Sequence, residues 1–596
     1  MSQAFTTRPV IRARRFAVTS GHYLATAAGF RILDRGGNAF DAAAATALVL
    51  ALVCPQWNGL GGEVPVLLYS AADRRVYAVS GQGVAPRALT LDWCRRNSVT
   101  LLPATGYTSA CVPAVVGTWC EVLKRWGTLA LADVAAPAIE LADAGYPVYP
   151  LLRGVLAANA STFRSTFPTT ADIYLSRDGG IPAVGEIVRN PDFAATLRRL
   201  CDAERAQCGT RVAGIESACD AFYRGPIAHR IVDFITRNPT PDGTGPAARA
   251  GLLTVDDFAG WRATVEEPVR LAWRGLDVCK CGPWTQGPVF LQQLALLDGF
   301  DLAAMGHNSP DALHAIVECA KLAMADREAY YGDPAFDTVP LDRLLSRDYA
   351  TVRRALIGDR ASQELRPGDV GRGAPDYVTF DVAAQQRSLS TNPKSQIRDP
   401  QSGLDTTHLD VADAAGNFVA ATPSGGWIPT SPVVAGVGFP LGTRAQIFYL
   451  DPRRPNALAP GKRPRTTLTP TLVLRDGAPY MALGTEGGDA QDQWSLHFLL
   501  NHEVFGLDLQ AAADAPLVES QHAPSSFHPR RGHPAKLMAE GRIPAATIEA
   551  LRARGHNVEV IGDWVSGQVM CVKRDAGDRL AAAASPKNGV AYAMGW

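Results

Sequence analysis

The amino-acid sequence predicts one layered α/β domain whose sheets take strands from both halves of the chain. Helices and strands are predicted near the N-terminus, a long helical region follows, and strands return in the last third. The chain has 596 residues, of which 47% are hydrophobic, so it can bury a large core. Length alone would favour several domains, but large layered folds often exceed the usual domain size. Helical layers on strands at both ends of the sequence favour one layered fold.

The first predicted elements are two helices near the N-terminus. Residues 22–35 place apolar side chains at helical spacing and end at a Gly-Gly pair, a plausible C-cap. Asn38 or Asp41 can cap the second helix. Its segment AAAATALVLALVC (42–54) is apolar but too short to span a bilayer, which indicates a buried helix.

A hairpin and a long helical region come next. Residues 59–81, GLGGEVPVLLYSAADRRVYAVSG, predict two strands joined by a polar turn. From about 107 to 360 the pattern is mostly helical, with capped segments such as 309–331. Residues 385–403 then contain only Leu389 and Ile397 as large apolar side chains. Such a segment cannot offset its ordering entropy by burial, so we expect it to be exposed or mobile.

Strands resume after this polar segment. They are predicted at 407–412 and 418–422, in a hairpin that turns at Asp476-Gly477, and at 557–562 and 567–575. Helices are predicted over 490–515 and 544–554. Because α/β structure lies on both sides of the polar segment, it interrupts one domain and does not link two.

Composition excludes several classes of function. The 58 basic and 58 acidic side chains balance, which gives no reason to expect a nucleic acid or membrane partner. The 11 scattered cysteines are typical of reduced thiols, so we expect a cytoplasmic protein. Cys279 and Cys281 lack the spacing of a zinc site, and no HExxH pattern occurs. We therefore expect no metal and no cofactor.

The hairpin that opens at Thr406 carries the strongest chemical signal. If its turn centres on Ala415, Asp410 faces Ala420 and Thr406 faces Ser424, so two hydroxyl groups can touch. A threonine hydroxyl needs a base, and the α-amine of a chain-terminal threonine, with a pKa near 7.7–8.0, is such a base. Cleavage between Asp405 and Thr406 would create it. The alternative is that Thr406 merely begins a strand.

Four motifs in order resemble the γ-glutamyltranspeptidase family of N-terminal-nucleophile hydrolases. They are the N-terminal helix pair with its glycine turn, TTH with the strands after it (406–422), PGKRPRTTLTPTLVLRDG (460–477) and GTEGGDAQDQW (484–494). The resemblance implies a four-layer αββα sandwich formed jointly by two processed subunits. These are a large subunit, 1–405, ending in the polar segment at about 385–405, and a small catalytic subunit, 406–596. It also implies a heterodimer of the two processed chains, with further dimerisation left open.

The resemblance assigns roles to individual residues. Thr406 matches the nucleophile exposed by autoproteolysis, and Ser424 a threonine that hydrogen-bonds to it. Gly487 and Gly488 match the glycines whose N–H groups form the oxyanion hole. Thr466 and Thr467 match substrate-contacting serines, Thr407 is a supporting hydroxyl, and His408 has no partner that the sequence reveals, so a structural role is expected.

The residues that would recognise a γ-glutamyl group depart from the family pattern. Gln82 stands where the family has an arginine for the substrate carboxylate, and Gly426 where it has an asparagine. Gln446 or its neighbour Ile447 stands at the aspartate position. A neutral amide cannot form a bidentate charged pair with a carboxylate. Arg444 and Arg463 are the arginines expected near the site instead.

These segments resemble a subgroup that includes oxamate amidohydrolase and γ-glutamyltransferase-like enzymes of alkylproline antibiotic pathways. We therefore expect an autoprocessed hydrolase that acts on a small-molecule substrate with a carboxylate beside the scissile carbonyl and releases oxalate or a similar acid. The bond can be C–N or C–C. The alternatives are a γ-glutamyl transferase or hydrolase that acts on glutathione-like amides, and an inactive binding or scaffold paralogue.

Overall fold

Two seven-stranded sheets form the centre of the protein in a computed structural model of the chain. The structure describes residues 5–596 except 246, 381–405, 576, 578 and 588. The predicted polar segment and Asp405 therefore lie outside the described residues. No helix in the described part of the chain is long and apolar enough to cross a membrane.

The first sheet, here called the nucleophile sheet because it contains the Thr406 hairpin, takes strands from both sides of residue 405. Its strands in spatial order are β19 (Tyr592–Gly595), β2 (Phe16–Ser20), β10 (Leu409–Asp413), β11 (Phe418–Ala421), β3 (Val66–Ser70), β4 (Arg75–Ser80) and β7 (Thr264–Glu266).

The second sheet mixes the two parts of the chain in the same way. Its strands in spatial order are β1 (Ile11–Ala13), β18 (Leu580–Ala584), β17 (Met570–Arg574), β13 (Ala478–Gly484), β12 (Thr471–Arg475), β9 (Leu276–Lys280) and β8 (Val269–Trp273). Two smaller sheets pair β5 (Tyr146–Pro147) with β6 (Ile187–Val188), and β14 (Val518–Ser520) with β15 (Lys536–Glu540) and β16 (Asn557–Ile561).

The two large sheets stack face to face. One buried cluster draws Leu67 and Phe418 from the nucleophile sheet together with Leu472 and Val572 from the second sheet, so it lies between them. Separate clusters join the outer face of each sheet to helices, with Val411 in one and Val473 in the other. The result is the predicted αββα sandwich.

The helices form the two outer layers. The helices that precede β7 in sequence are Tyr23–Asp34, Ala39–Val53, Leu91–Arg96, Val115–Trp126, Leu131–Ala144, Pro150–Ser165, Pro168–Tyr174, Pro191–Ala206, Arg211–Tyr223, Pro226–Arg237 and Val255–Gly260. The later helices are Gly287–Leu297, Leu302–Met305, Pro310–Tyr330, Leu341–Leu344, Arg347–Arg354, Gln491–Glu503, Leu509–Asp514 and Ala545–Ala553, with 3₁₀ turns at Arg444–Ile447 and Gly488–Ala490.

The predicted capping of the buried helix is confirmed. All residues of Ala39–Val53 are buried, and Asn38 and Asp41 form a reciprocal capping box at its start. The Asp41 carboxylate also accepts hydrogen bonds from the backbone N–H groups of Thr128 and Leu129. The Asp41 side chain thus accepts hydrogen bonds from the start of the helix and from the neighbouring loop.

Several strands were missed by the sequence patterns. β7, β8 and β9 lie inside the region predicted as mostly helical, and β18 consists of LAAAA, a composition that favours a helix. The predicted helix 490–515 is two helices, Gln491–Glu503 and Leu509–Asp514. Strand pairing on both sides of β18 outweighs its local preference.

The Asp41 network gives a first test. Asp41→Ala should lower the free energy of unfolding by about 1–3 kcal/mol, because it removes the acceptor of several partly buried N–H groups. Asp34→Ala changes an exposed aspartate at the end of the preceding helix, Tyr23–Asp34, and serves as the control. Urea denaturation of both variants measures the difference. Equal stability of the two would contradict the role assigned to Asp41.

Candidate active site

The hairpin register predicted from the sequence is present. Asp410 pairs with Ala420 in the β10–β11 ladder, and Thr406 forms an antiparallel bridge with Ser424 beyond its end. The Thr406 Oγ1 and Ser424 Oγ atoms are 3.1 Å apart, a hydrogen-bond distance. Both residues are fully buried. The hairpin therefore delivers two hydroxyl groups in contact.

Arg444 joins this hydroxyl pair from a distant part of the sequence. Its Nη2 donates to Ser424 Oγ at 2.8 Å, and its Nε donates to the Glu63 carboxylate at 2.5 Å. Glu63 is itself held against Ser424, because their backbone N–H and C=O groups exchange two hydrogen bonds of 2.9 Å. A chain of polar contacts thus runs from Glu63 through Arg444 and Ser424 to Thr406.

The guanidinium group of Arg444 is enclosed by aromatic rings. Its central carbon lies 4.8 Å from the ring centroid of Trp427 and 5.4 Å from that of Phe527. Among the described residues, nothing accepts a hydrogen bond from its Nη1. A buried donor without an acceptor is costly, so this nitrogen is suited to an incoming carboxylate oxygen.

The predicted oxyanion glycines form a tight turn after β13. Gly487 has φ of 115° and Gly488 has φ of 51°. A Cβ atom on Gly487 would lie 2.2 Å from the Trp494 ring, so only glycine fits there. Within the described residues, neither glycine N–H donates a hydrogen bond to the protein. The turn therefore presents two available backbone donors.

Side chains of the second sheet's helical layer hold this turn in place. Gln286 donates from Nε2 to the Gly488 carbonyl at 3.2 Å and accepts at Oε1 from Arg327 at 2.8 Å. Arg327 also pairs with Asp489. Burial alone would raise the pKa of Glu328, but Arg465 and Arg327 lower it to about 2, so the carboxylate stays charged.

Thr466 and Thr467 lie beside the same support. The backbone N–H of Gln286 donates to the Thr466 carbonyl at 2.9 Å, and the Thr466 N–H donates to Trp284 at 2.9 Å. The hydroxyl of Thr467 is buried and has no hydrogen-bond partner among the described residues. Gln286 thus connects the predicted substrate segment to the oxyanion turn.

Thr407 connects the hairpin to the other side of the oxyanion turn. A Cβ on Gly21 would lie 2.0 Å from Thr407 Oγ1 and 3.4 Å from Gln568 Oε1, so both side chains face Gly21. The Gln568 backbone N–H donates to the Glu486 carboxylate at 2.8 Å, next to Gly487. The structure therefore brings Thr406, Ser424, Thr407 and the glycine turn into one region.

The remaining predicted substrate residues differ in how available their polar groups are. Arg463 already pairs with Glu266 at 2.6 Å and Asp333 at 2.7 Å, so its charge is compensated. Gln446 accepts a hydrogen bond from the His528 N–H at 3.2 Å. Gln82 Oε1 is buried and, in the described part of the chain, has no donor. Their roles in substrate binding stay predictions.

His408 has the partners that the sequence did not reveal. Its Nδ1 lies 2.9 Å from the Thr422 hydroxyl and its Nε2 lies 2.8 Å from Asp410. Burial raises the pKa of Asp410, although His408 opposes that shift. The signal was available, because Asp410 is two residues along the same strand and therefore on the same face.

A possible metal cluster lies away from these residues. His314, Glu318 and His556 bring potential ligand atoms within 4.8 Å of one another. The Glu318 carboxylate, however, already pairs with Lys321 at 2.5 Å and Arg366 at 3.1 Å. A divalent cation would stand beside two positive side chains, so the electrostatics disfavour metal binding there.

A buried hydroxyl pair at the start of a central strand of an αββα sandwich is typical of an N-terminal-nucleophile hydrolase. The family profile "Gamma-glutamyltranspeptidase" matches residues 25–594. The chain belongs to this family, whose members are N-terminal threonine hydrolases and acyltransferases.

Individual relatives span the whole chain. The glutathione hydrolase-like YwrD proenzyme of Bacillus subtilis is 33% identical over 575 residues, which cover 96% of each chain. The solved structure of LmbA2991HD is 44% identical with a TM-score of 0.92 and covers 99% of this chain and all of that one. The cephalosporin acylase from Bacillus halodurans is 29% identical with a TM-score of 0.82, over 100% and 98%.

The hydroxyl of Ser424 gives the second test. Ser424→Ala should slow both self-cleavage and turnover by about tenfold to a hundredfold, because it removes the group between Arg444 and Thr406. Ser424→Thr keeps a hydroxyl at the same position and should stay within a few-fold of the wild type. Gel densitometry of the precursor and steady-state kinetics measure the two rates. Unchanged rates in Ser424→Ala would contradict the contact with Thr406.

Proposed function

We propose that this protein cleaves itself before Thr406 and then hydrolyses a small acyl group with a carboxylate next to the scissile carbonyl. The observation that carries the proposal is the position of Arg444, whose Nη2 bonds to Ser424 and whose Nη1 has no described acceptor. Glu63 already balances the charge of this buried guanidinium, so its Nη1–H group is the part suited to a carboxylate oxygen one bond from the reacting carbonyl.

The first chemical step is internal. The Thr406 hydroxyl attacks the carbonyl carbon of residue 405, the peptide C–N bond breaks, and the nitrogen leaves as the free α-amine of Thr406. Water then hydrolyses the ester that joins the two pieces, which releases the carboxylate of residue 405 and regenerates the hydroxyl. The same side chain becomes the nucleophile of the processed enzyme, with its own amine as base.

Turnover of an amide substrate follows the same order of bonds. The Thr406 amine accepts the hydroxyl proton while Oγ1 attacks the substrate carbonyl, and negative charge develops on the carbonyl oxygen. The N–H groups of Gly487 and Gly488 would stabilise this charge. The proton passes to the leaving nitrogen, and water hydrolyses the acyl-enzyme.

The position of the available Arg444 donor limits the size of the acyl group. Arg444 pairs with Glu63 and contacts Ser424, so its available donor lies close to the nucleophile and not several bonds away. A γ-glutamyl group carries its carboxylate three carbons from the scissile carbonyl, where the family uses an arginine and this chain has Gln82. Leaving that carboxylate unpaired in a buried site would cost several kcal/mol.

The relatives bear on two alternatives. The YwrD relative is named glutathione hydrolase-like, which keeps γ-glutamyl amides as the second candidate substrate class. The 44% identity to LmbA2991HD, together with the predicted resemblance to enzymes of alkylproline antibiotic pathways, keeps C–C bond cleavage with release of oxalate as a further candidate. Cleavage of either bond would use the same acyl-enzyme on Thr406.

Processing is the third test. The 63.4 kDa chain should divide, by proportion of length, into pieces of about 43 and about 20 kDa that remain one folded unit. Thr406→Ala should stay a single inactive chain, and Thr407→Ala, which changes the neighbouring hydroxyl, should still be cleaved. N-terminal sequencing of the small piece identifies the cut. A first residue other than Thr406 would remove the nucleophile assignment.

Substrate choice is the fourth test, and matched substrates isolate the carboxylate. The processed wild type should hydrolyse oxamate to oxalate and ammonia faster than ethyl oxamate, which has the same amide but no charge, and should release little from γ-glutamyl-p-nitroanilide. Arg444→Gln should reduce the ratio of kcat/KM for oxamate over ethyl oxamate by about tenfold to a hundredfold.

The ratio is informative because any effect of Arg444 on Ser424 slows both substrates and cancels. Arg444→Lys, which keeps the charge but loses the planar fork, should give an intermediate ratio. Efficient γ-glutamyl transfer, or an unchanged ratio in Arg444→Gln, would overturn the proposed substrate class.

A further inference from the structure

The imidazole of His408 is fixed by three strands of the nucleophile sheet. Its Nδ1 lies 2.9 Å from the hydroxyl of Thr422, which is opposite it in the hairpin. Its Nε2 lies 2.8 Å from one carboxylate oxygen of Asp410, and the other oxygen of Asp410 accepts from the Thr19 hydroxyl of β2 at 3.0 Å. Contacts within the nucleophile sheet alone therefore fix the positions of both ring nitrogens and the orientation of the ring plane.

One face of this ring packs against the strand that leads to the oxyanion turn. Gly484 is the last residue of β13, in the second sheet, and precedes Gly487 by three residues. A Cβ on Gly484 would lie 2.3 Å from Cε1 of His408 and within 2.7 Å of both ring nitrogens. Ring and glycine are thus in direct contact across the space between the two sheets.

This contact joins the two parts of the reaction site that belong to different sheets. His408 is two residues after Thr406, and Gly484 is three residues before Gly487. We propose that His408 is a positioning residue that fixes the distance between the Thr406 hydroxyl and the N–H groups of Gly487 and Gly488. The inference rests on the proposed function for the identity of the nucleophile.

A second catalytic centre is a different interpretation of the same atoms. Thr422, His408 and Asp410 are arranged like a hydroxyl–imidazole–carboxylate triad. The face of the imidazole packs against Gly484, which leaves no space there for a substrate carbonyl. The arrangement therefore serves to orient the ring.

A size exchange tests the spacing. His408→Asn removes the ring, Gly484→Ala adds a methyl group that collides with the ring, and the double variant does both. Acylation is measured as the p-nitrophenol burst from p-nitrophenyl acetate, so that the result does not depend on the natural substrate. Thr406→Ala is the zero control, and processing of each precursor is measured on gels.

We expect each single variant to be processed but to acylate at least about tenfold more slowly, with little change in the apparent affinity for the ester, because small displacements of reacting groups are costly. The double variant should acylate several-fold faster than Gly484→Ala, since the collision is relieved. Melting temperatures of all variants distinguish a loss of stability from a change in the distance between the reacting groups. If Gly484→Ala fails to fold, the burst of His408→Asn decides alone.

Two results would overturn the inference while leaving the proposed function intact. One is a wild-type burst rate in folded His408→Asn with only the melting temperature lowered, which would mean a purely structural ring. The other is a double variant no faster than folded Gly484→Ala. A wild type without a burst, or a burst retained in Thr406→Ala, would instead overturn the nucleophile assignment and the inference with it.

Discussion

The contact between the Thr406 and Ser424 hydroxyls is the constraint on which the rest of the site depends. Antiparallel pairing places the two residues opposite each other, and both are removed from water. A hydroxyl in such a place must be satisfied, and Arg444 satisfies Ser424 while Glu63 neutralises Arg444. Each polar group in this chain offsets the free-energy cost of burying the group before it. The whole network therefore has to form together.

The two-sheet architecture explains why the reaction groups can be held so closely. Thr406 lies just before a strand of one sheet and the glycine turn follows a strand of the other, so their separation depends on the spacing between the packed sheets. Sheets pack about 10 Å apart when ordinary side chains fill the space. At the His408–Gly484 contact one ring packs against bare backbone, and in our proposal this contact sets the distance between the two strand ends.

Family membership and substrate choice rest on different parts of this site. The hydroxyl pair and the glycine turn are the parts that the sequence resemblance matches to the chemistry of the family, and we propose that they form the acyl-enzyme. Gln82 and Gly426 stand where the family has an arginine and an asparagine for the γ-glutamyl group, and Arg444 is the arginine proposed to bind the acyl carboxylate instead. A single fold can thus keep its reaction while its substrate changes, because binding charge and catalytic donors come from separate segments.

Local structure is what the sequence determined by itself. The Thr406–Ser424 register follows from one short hairpin, and the Asn38–Asp41 cap follows from four consecutive residues, so neither needs a distant partner. The Arg444–Glu63 pair joins residues 381 positions apart, and the His408–Gly484 contact crosses between sheets. LAAAA becomes a strand only because β1 and β17 pair with it. These features were decided by the tertiary structure, because non-local pairing and packing outweigh propensities worth less than 1 kcal/mol per residue.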